Sequence, residues 1–224
     1  MRLVHGLISA VAIALVVPAG LSAQDADRKV AGGGVAPGWK GKVDANNKQG
    51  LTINDSKFTM QGGNLMFVIG PPAIYWNPAH VAKGDFTVKG TFKDVVSEAG
   101  HPHSAGVFIG GTNLDTDEQS YTYCVAYTDG SFMIRQFTGL KVATLSRKAP
   151  HAAVHQPGPT GATNEIGWTV KGGRAECVIN GQVVAGYDKG QAVGAVTFQP
   201  TDGVFGIRVT HNMNLTVTGF GLSK

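Results

Sequence analysis

Apolar and polar residues alternate along the C-terminal third of the chain, and pairs of turn-forming residues interrupt the alternation. Positions 174–179 lie between Gly172-Gly173 and Asn180-Gly181. Both pairs tolerate the positive φ that two-residue hairpin turns require. Because apolar stretches at 166–170 and 183–187 flank these turns, the pattern predicts three consecutive antiparallel strands.

The same period of two recurs from Trp39 onward, and no window shows a sustained helical period. In 85–93 the apolar side chains are predicted to face a core, and the threonines and lysines between them to face outward. The triplet Thr128-Asp129-Gly130 predicts a hairpin. Further strands are predicted at 57–60, 64–69, 73–76, 105–109, 121–127, 132–137, 205–210 and 215–220. Short strands at this spacing indicate a sandwich or a barrel, with two long loops left at 95–104 and 141–164.

The first 23 residues have the pattern of an export signal. Arg2 precedes an uncharged apolar run at 7–17, and small residues lead to a predicted cleavage after Ala23. The run is shorter than the roughly 20 residues that span a bilayer, and a buried helix is the alternative. We therefore expect a periplasmic or extracellular protein with a flexible, Gly-rich segment at 24–37 and a single β domain at 38–224.

Charge and composition narrow the classes of partner. Removing Arg2 from the 19 basic residues leaves 18 against 15 acidic ones, a net charge of +3. These charges are scattered, so nucleic-acid binding is not indicated. No later stretch is apolar enough to span a membrane, and the oligomeric state is not encoded in any motif.

The only two cysteines, Cys124 and Cys177, each lie inside an apolar predicted strand. In an exported protein an even number of cysteines permits a disulfide. Two buried free thiols are the alternative, and spacing alone does not decide between them.

Several segments resemble the concanavalin A-like lectin/glucanase jelly rolls, a group that includes laminin-G-like domains. The segments are 168–183 with its two turns, 203–209, 215–220, and Ser104 to Phe108. The resemblance implies an all-β fold in which two antiparallel sheets form a β-sandwich. Within that superfamily, 106–110 and 121–125 are most similar to the 3-keto-disaccharide hydrolase domain, which implies an exported enzyme acting on oxidised glycosides.

A carbohydrate platform is the leading interpretation of the polar and aromatic residues. In 121–127 the alternation places Tyr121, Tyr123 and Tyr127 on the face opposite Cys124. If the cysteine face is core, the tyrosines line a groove on the concave sheet; the alternative is that they are core residues with paired hydroxyls. The candidate sugar-binding residues are Trp76, Lys89, Tyr121, Tyr123, Arg135, His211 and Asn212.

Catalytic chemistry has one candidate. Glycosidases usually need two carboxylates at a set separation, and Glu176 is the acidic residue in the middle of a predicted strand. No second carboxylate is spaced to lie beside it on that strand. A solvated strand residue is the alternative interpretation.

Two groups of residues are candidate metal ligands. His101, His103, His151 and His155 lie in the two long loops and would bind Zn²⁺ or Cu²⁺ if those loops met. Asp115, Asp117 and Glu118 form the densest acidic cluster and would suit Ca²⁺. Unliganded surface side chains are the alternative for both groups.

The sequence thus favours an exported protein that recognises a carbohydrate or glycoside without catalysis. An enzyme like the 3-keto-disaccharide hydrolases is the main alternative. A structural adhesion or envelope protein with a protein partner is the third.

Overall fold

Antiparallel β-strands account for almost all of the regular secondary structure in this computed structural model, which describes residues 25–47, 49–97, 101–158 and 161–223. The predicted export signal at 1–23 lies outside these residues. One 3₁₀ helix spans Ile53–Asp55. The strands are β1 Lys40–Val43, β2 Lys57–Gln61, β3 Asn64–Val68, β4 Ala73–Ala82, β5 Phe86–Ser97, β6 Ser104–Thr112, β7 Ser120–Tyr127, β8 Ser131–Thr138, β9 Lys141–Pro150, β10 Ala162–Lys171, β11 Arg174–Ile179, β12 Gln182–Asp188, β13 Ala192–Val193, β14 Val196–Thr197, β15 Gly203–Val209 and β16 Met213–Leu222.

Two seven-stranded sheets stack to form a β-sandwich. The first sheet has the strand order β12-β11-β10-β5-β16-β3-β2, and the second has the order β1-β4-β15-β6-β7-β8-β9. The short strands β13 and β14 pair with each other outside the two sheets. This arrangement confirms the all-β, two-sheet antiparallel sandwich predicted from the sequence.

The two-residue turns around β11 have the predicted geometry. Gly172 and Gly173 have φ angles of 57° and 83°, and Asn180 and Gly181 have φ angles of 48° and 78°. Positive φ at both central residues is the type I′ pattern, whose twist matches that of the flanking strands. These local preferences fix the register of β10, β11 and β12.

The main core lies between the sheets and is built from the inward-facing residues of both. Trp168 of the first sheet is fully buried there, and its indole Nε1 donates a 3.0 Å hydrogen bond to the carbonyl oxygen of Val107 in the second sheet. A buried indole N–H needs a partner. The contact therefore both satisfies the ring and fixes the distance between the two layers.

A disulfide joins the same two sheets. Cys124 on β7 and Cys177 on β11 are bonded, with their Cα atoms 6.3 Å apart and a sequence separation of 53. Of the two alternatives that the sequence left open, the structure has the disulfide.

The prediction of a long loop at 141–164 is wrong for its first ten residues. They form β9, which pairs with β8 at the edge of the second sheet. Most of its side chains are exposed or half-buried on both faces. An edge strand of this kind has little apolar alternation, so it lacks the pattern that identifies the other strands.

The described part of the predicted flexible segment, residues 25–37, makes hydrogen bonds to the sandwich. Arg28 donates from its backbone N–H to Asn212 and from its guanidinium to the carbonyl oxygens of Ile69 and Met213. Further along, Gly34 exchanges backbone hydrogen bonds with Ser56 and Phe58. The segment is thus bound along one end of the sandwich, where it contributes to the site described below.

Among the described residues no helix has the length and apolar character needed to cross a bilayer.

We expect loss of the disulfide to destabilise the fold substantially. In the chain-entropy relation, a closed loop of this size contributes about 4 kcal/mol. The Cys124→Ser/Cys177→Ser double variant should therefore lose about 2–5 kcal/mol in its free energy of unfolding, measured by urea denaturation. Reductant should destabilise the wild type by a similar amount and leave the double variant unchanged; equal stability of the oxidised wild type and the variant would contradict the prediction.

Candidate functional site

Three segments that are distant in sequence meet at one end of the sandwich and bring together Asp25, His101, His103 and His211, here called the histidine cluster. One nitrogen of each imidazole and one carboxylate oxygen all lie within 4.8 Å of one another. Among the described residues this is the one group of three or more such side chains that converges in this way.

Backbone hydrogen bonds hold two of the three segments side by side. Ser104 donates from its N–H to Oγ1 of Thr210 at 2.7 Å, and Thr210 donates back to the Ser104 carbonyl at 2.9 Å. His103 donates from its N–H to Oγ1 of Thr128 at 3.2 Å. The residues before β6 and the turn between β15 and β16 are therefore fixed relative to each other.

Asn212 fixes the third segment, which carries Asp25. Its Nδ2 donates to Oδ2 of Asp25 at 2.7 Å, and its Oδ1 accepts a 2.9 Å hydrogen bond from the N–H of Arg28. Asn212 has a φ of 52°, a left-handed conformation that asparagine tolerates better than most residues. The candidate sugar-binding residue Asn212 thus acts here as the structural link between the last hairpin and the N-terminal segment.

The polar atoms of the cluster point toward one another. Oδ1 of Asp25 lies 3.2 Å from Nδ1 of His101 and 3.9 Å from Nε2 of His211. The ring centroid of His103 lies 4.4 Å from that of His101 and 4.5 Å from that of His211. On its other side, His211 holds Oδ1 of Asp27 through Nδ1 at 2.5 Å.

His103 is the most buried member of the cluster, with 1% of its surface exposed. Neither of its ring nitrogens has a hydrogen-bond partner within the described part of the chain. Burial, followed by the nearby charges of His211 and His101, lowers the pKa of His103 to about 4. The imidazole is therefore neutral at physiological pH and has a nitrogen lone pair available.

The pKa of Asp25 is also lowered. Burial acts to raise it, but the hydrogen bond from Asn212 and the neighbouring histidines outweigh that effect. The carboxyl group is consequently ionised beside the three imidazoles.

A cavity of about 570 Å³ adjoins the cluster, and most of its lining residues have polar side chains. Its size is within the roughly 300–1,000 Å³ range of small-molecule sites. Gln49 accepts a 2.8 Å hydrogen bond from the N–H of Asp27 and so ties the two walls together. The lining residues are Asp25, Ala26, Asp27, Asn46, Asn47, Gln49, Pro72 and His211.

The structure divides the four histidines proposed as metal ligands. His101 and His103 lie in the cluster, whereas His151 and His155 do not. Nδ1 of His151 accepts a hydrogen bond from the N–H of Ala153, and Nδ1 of His155 lies 3.1 Å from the Thr163 carbonyl. The expectation that all four would converge is wrong, because 141–150 pairs as an edge strand and directs the later residues elsewhere.

The tyrosine side chains of the predicted platform point away from the disulfide, as predicted, but Tyr121 and Tyr123 are buried rather than exposed. Trp76, Tyr123 and Arg135 lie in one cross-strand row of the second sheet, on the face directed away from the disulfide. Tyr121 stacks on Phe137 with ring centroids 4.7 Å apart. The side chains pack into a second apolar cluster that leaves Tyr121 1% and Tyr123 4% exposed. The expected open groove of tyrosine rings is therefore not present on this face.

A buried ion pair lies in the middle of that face. The guanidinium of Arg208 forms a bidentate contact with Asp44, with both N–O distances 2.5 Å, and its Cζ lies 5.4 Å from the ring centroid of Tyr123. Burial acts to lower the pKa of Arg208, but the charge of Asp44 raises it well above the usual value. Burial raises the pKa of Tyr121 and that of Tyr123.

Lys89 and Glu176 lie on the first sheet, away from the other candidates. Nζ of Lys89 pairs with Glu165 at 2.9 Å. Glu176 pairs with Nε of Arg174 at 3.0 Å, and the same guanidinium binds Asp188 at 2.9 Å. Glu176 is thus part of a surface ion-pair network, which does not resemble the paired acid and base of a glycosidase.

Two of the three acidic residues in the loop before β7 pair with lysines of β1. Asp115 pairs with Lys40 at 2.7 Å, and Asp117 lies 3.5 Å from Lys42. Together with Glu118 these residues are exposed. The described residues of this loop do not converge on a common point as cation ligands would.

Sequence reasoning missed Asp25, Asp27 and the pairing of His211 with His101 and His103. His211 and Asp27 are 184 residues apart. No spacing rule connects residues at such a separation, and the two aspartates fall in a segment whose composition suggested a flexible linker.

Comparison with solved structures shows the class of fold. The chain resembles a carbohydrate-binding module, CBM66 from Bacillus subtilis, with a TM-score of 0.55 and 9% identity over 84% of this chain and 98% of that one. It also resembles a protein of unknown function with a galectin-like fold from Bacillus subtilis, with a TM-score of 0.54 and 13% identity over 82% and 88%. No family model and no curated protein matches the chain. The protein therefore has a lectin-like jelly-roll β-sandwich fold.

We expect the Arg208–Asp44 pair to be sensitive to removal of one partner. Asp44→Ala leaves a buried guanidinium uncompensated and should lower the free energy of unfolding by about 3–5 kcal/mol. The exposed pair provides the control, since Asp115→Ala should change stability by less than about 1 kcal/mol. Urea denaturation of both variants checks this, and equal effects would show that Arg208 is not effectively buried.

Proposed function

We propose that this is an exported protein that binds a carbohydrate, or another polyhydroxylated ligand such as a glycoside, in the cavity beside the histidine cluster. The observation that carries the proposal is the group of polar side chains that line this cavity on a lectin-like sandwich. Of its eight lining residues, six have carboxylate, amide or imidazole side chains.

The chemistry of the lining suits hydroxyl groups. Each sugar hydroxyl both donates and accepts a hydrogen bond, so it is matched by carboxylate acceptors beside amides that offer both functions. Asp27 supplies the first, and Asn46, which is exposed at the cavity, supplies the second. The amide of Asn47 is engaged by hydrogen bonds to Leu51 and Gln49 and shapes the wall.

The fold supports the same proposal. One similar structure is named as a carbohydrate-binding module and another as having a galectin-like fold. We transfer only the general expectation of glycan binding from those names, because fold alone does not fix function.

We favour binding of the ligand over catalysis as the function of this site. Glu176, the candidate acid, is tied to Arg174 on the first sheet rather than at the cavity. Export rests on the pattern of residues 1–23 and also agrees with the disulfide, since such bonds persist in oxidising compartments.

A glycan array tests the carbohydrate proposal. We expect the wild type to bind at least one glycan and Asn46→Ala to bind it about five- to thirty-fold more weakly, because one or two hydrogen bonds of about 1 kcal/mol each would be lost. Asp27→Asn should weaken binding further, since hydrogen bonds to a charged group are stronger.

Two variants on sheet faces serve as controls. Lys89→Ala and Arg135→Ala should bind as the wild type does, because neither residue lines the cavity. A wild type that binds no glycan would contradict the proposal. Loss of binding in Arg135→Ala alone would move the site to the outer face of the second sheet.

A hydrolase acting on 3-keto-glycosides is the second candidate, favoured by the His211–Asp27 contact on the cavity wall. A carboxylate that fixes one imidazole nitrogen leaves the other able to take up a proton, as a general base requires.

Incubation with 3-keto-glycosides should then release free sugar, and His211→Gln should abolish the release. Turnover unaffected by His211→Gln but lost in Glu176→Gln would place the chemistry on the first sheet; no turnover by the wild type would leave recognition as the function.

A further inference from the structure

We infer that Asp25, His101, His103 and His211 form a binding site for a divalent transition-metal ion, with Zn²⁺ the best match. The site would take three imidazole nitrogens and one carboxylate oxygen. It extends beyond the proposed sugar recognition, because its geometry stands whether or not a sugar binds in the adjoining cavity.

The spacing of the donor atoms is close to what a tetrahedral ion requires. Zn–N and Zn–O bonds of about 2.0–2.1 Å place neighbouring ligand atoms about 3.3 Å apart. In the cluster, Oδ1 of Asp25 is already 3.2 Å from Nδ1 of His101 and 3.9 Å from Nε2 of His211. All four donor atoms lie within 4.8 Å of one another. Small rotations of the side chains would shorten the remaining donor–donor distances to about 3.3 Å.

The unpartnered buried atoms point independently to a ligand. Both ring nitrogens of His103 are buried without a hydrogen-bond partner in the described ranges, and Oδ1 of Asp25 is buried with only the 3.2 Å contact to Nδ1 of His101. A buried polar atom with no partner costs free energy, because it has given up its hydrogen bonds to water. One nitrogen of His103 and one carboxylate oxygen of Asp25 lie within 4.8 Å of the other donors, where one bound cation would satisfy them together.

The outer contacts match those of known metal sites. Ligating histidines commonly donate their second N–H to a carboxylate, and ligating carboxylates are themselves hydrogen-bonded. Here Nδ1 of His211 contacts Asp27 at 2.5 Å, which leaves Nε2 toward Asp25. Oδ2 of Asp25 accepts from Asn212 at 2.7 Å, which leaves Oδ1 toward the histidines.

The donor set decides the class of metal. Imidazole suits Zn²⁺, Cu²⁺, Fe²⁺ and Ni²⁺, whereas Ca²⁺ and Mg²⁺ prefer oxygen ligands throughout. A site of three nitrogens and one oxygen is well matched to Zn²⁺, because this ion is usually bound by four ligands in a tetrahedral arrangement in proteins. The Ca²⁺ alternative drawn from the acidic loop therefore does not apply to this site.

Isothermal titration with Zn²⁺ tests the inference on the full mature chain, after treatment with a chelator and with no sugar present. We expect one Zn²⁺ per chain and an increase in the thermal unfolding temperature on binding. Co²⁺ used as a probe should give the intense visible absorption of a tetrahedral site. Because no sugar is present, this result is independent of the glycan array.

Variants separate a specific site from adventitious binding. His101→Ala and Asp25→Asn, at half-buried positions, should each weaken Zn²⁺ binding by more than about 100-fold, and Asp27→Asn by about 10–100-fold, as expected of an outer contact. His151→Ala and His155→Ala are matched controls and should bind as the wild type does. Because His103→Ala alters a buried side chain, its circular dichroism is compared with that of the wild type before its affinity is interpreted.

Absence of stoichiometric Zn²⁺ binding by the wild type would overturn the inference. So would binding that persists in both His101→Ala and Asp25→Asn, or that is lost in His155→Ala. Sugar binding by a protein that takes up no Zn²⁺ would overturn the metal site alone, and Zn²⁺ binding without any glycan ligand would leave it standing while the proposed function failed.

Discussion

The attachment of one sheet to the other is the constraint on which the rest of the structure depends. Trp168 donates a hydrogen bond across the core to Val107, and the disulfide from Cys124 to Cys177 crosses the same interface. Once the two sheets are held at this spacing, the ends of their strands have fixed positions at each end of the sandwich. The loops that carry the histidine cluster extend from one such edge.

The site is assembled by tying three remote parts of the chain to that edge. Ser104 and Thr210 are 106 residues apart, yet they are joined by reciprocal hydrogen bonds. Asn212 then binds Asp25 and the backbone of Arg28. Because each tie uses a backbone group or a short side chain, it leaves the imidazoles and one carboxylate oxygen available to a ligand.

The two faces of the second sheet show how alternation determines direction but not exposure. Placing Cys124 inward necessarily placed Tyr121 and Tyr123 outward, since adjacent side chains of a strand point to opposite faces. Their burial depends on Phe137, Phe108 and the Arg208–Asp44 pair, which belong to other strands or loops. The prediction of face was therefore correct, and the prediction of an open groove was not.

Local chemistry in the sequence was sufficient to establish most of the strands, the turns at Gly172-Gly173 and Asn180-Gly181, and the all-β class, because each depends on residues that are neighbours along the chain. The same information marked His101 and His103 as candidate ligands. Only the tertiary structure showed that the two cysteines form a disulfide rather than free thiols. It also showed that Asp25 and His211, and not His151 and His155, lie beside His101 and His103. Both outcomes depend on distances between segments far apart in sequence, which the packing of the two sheets sets and no local pattern encodes.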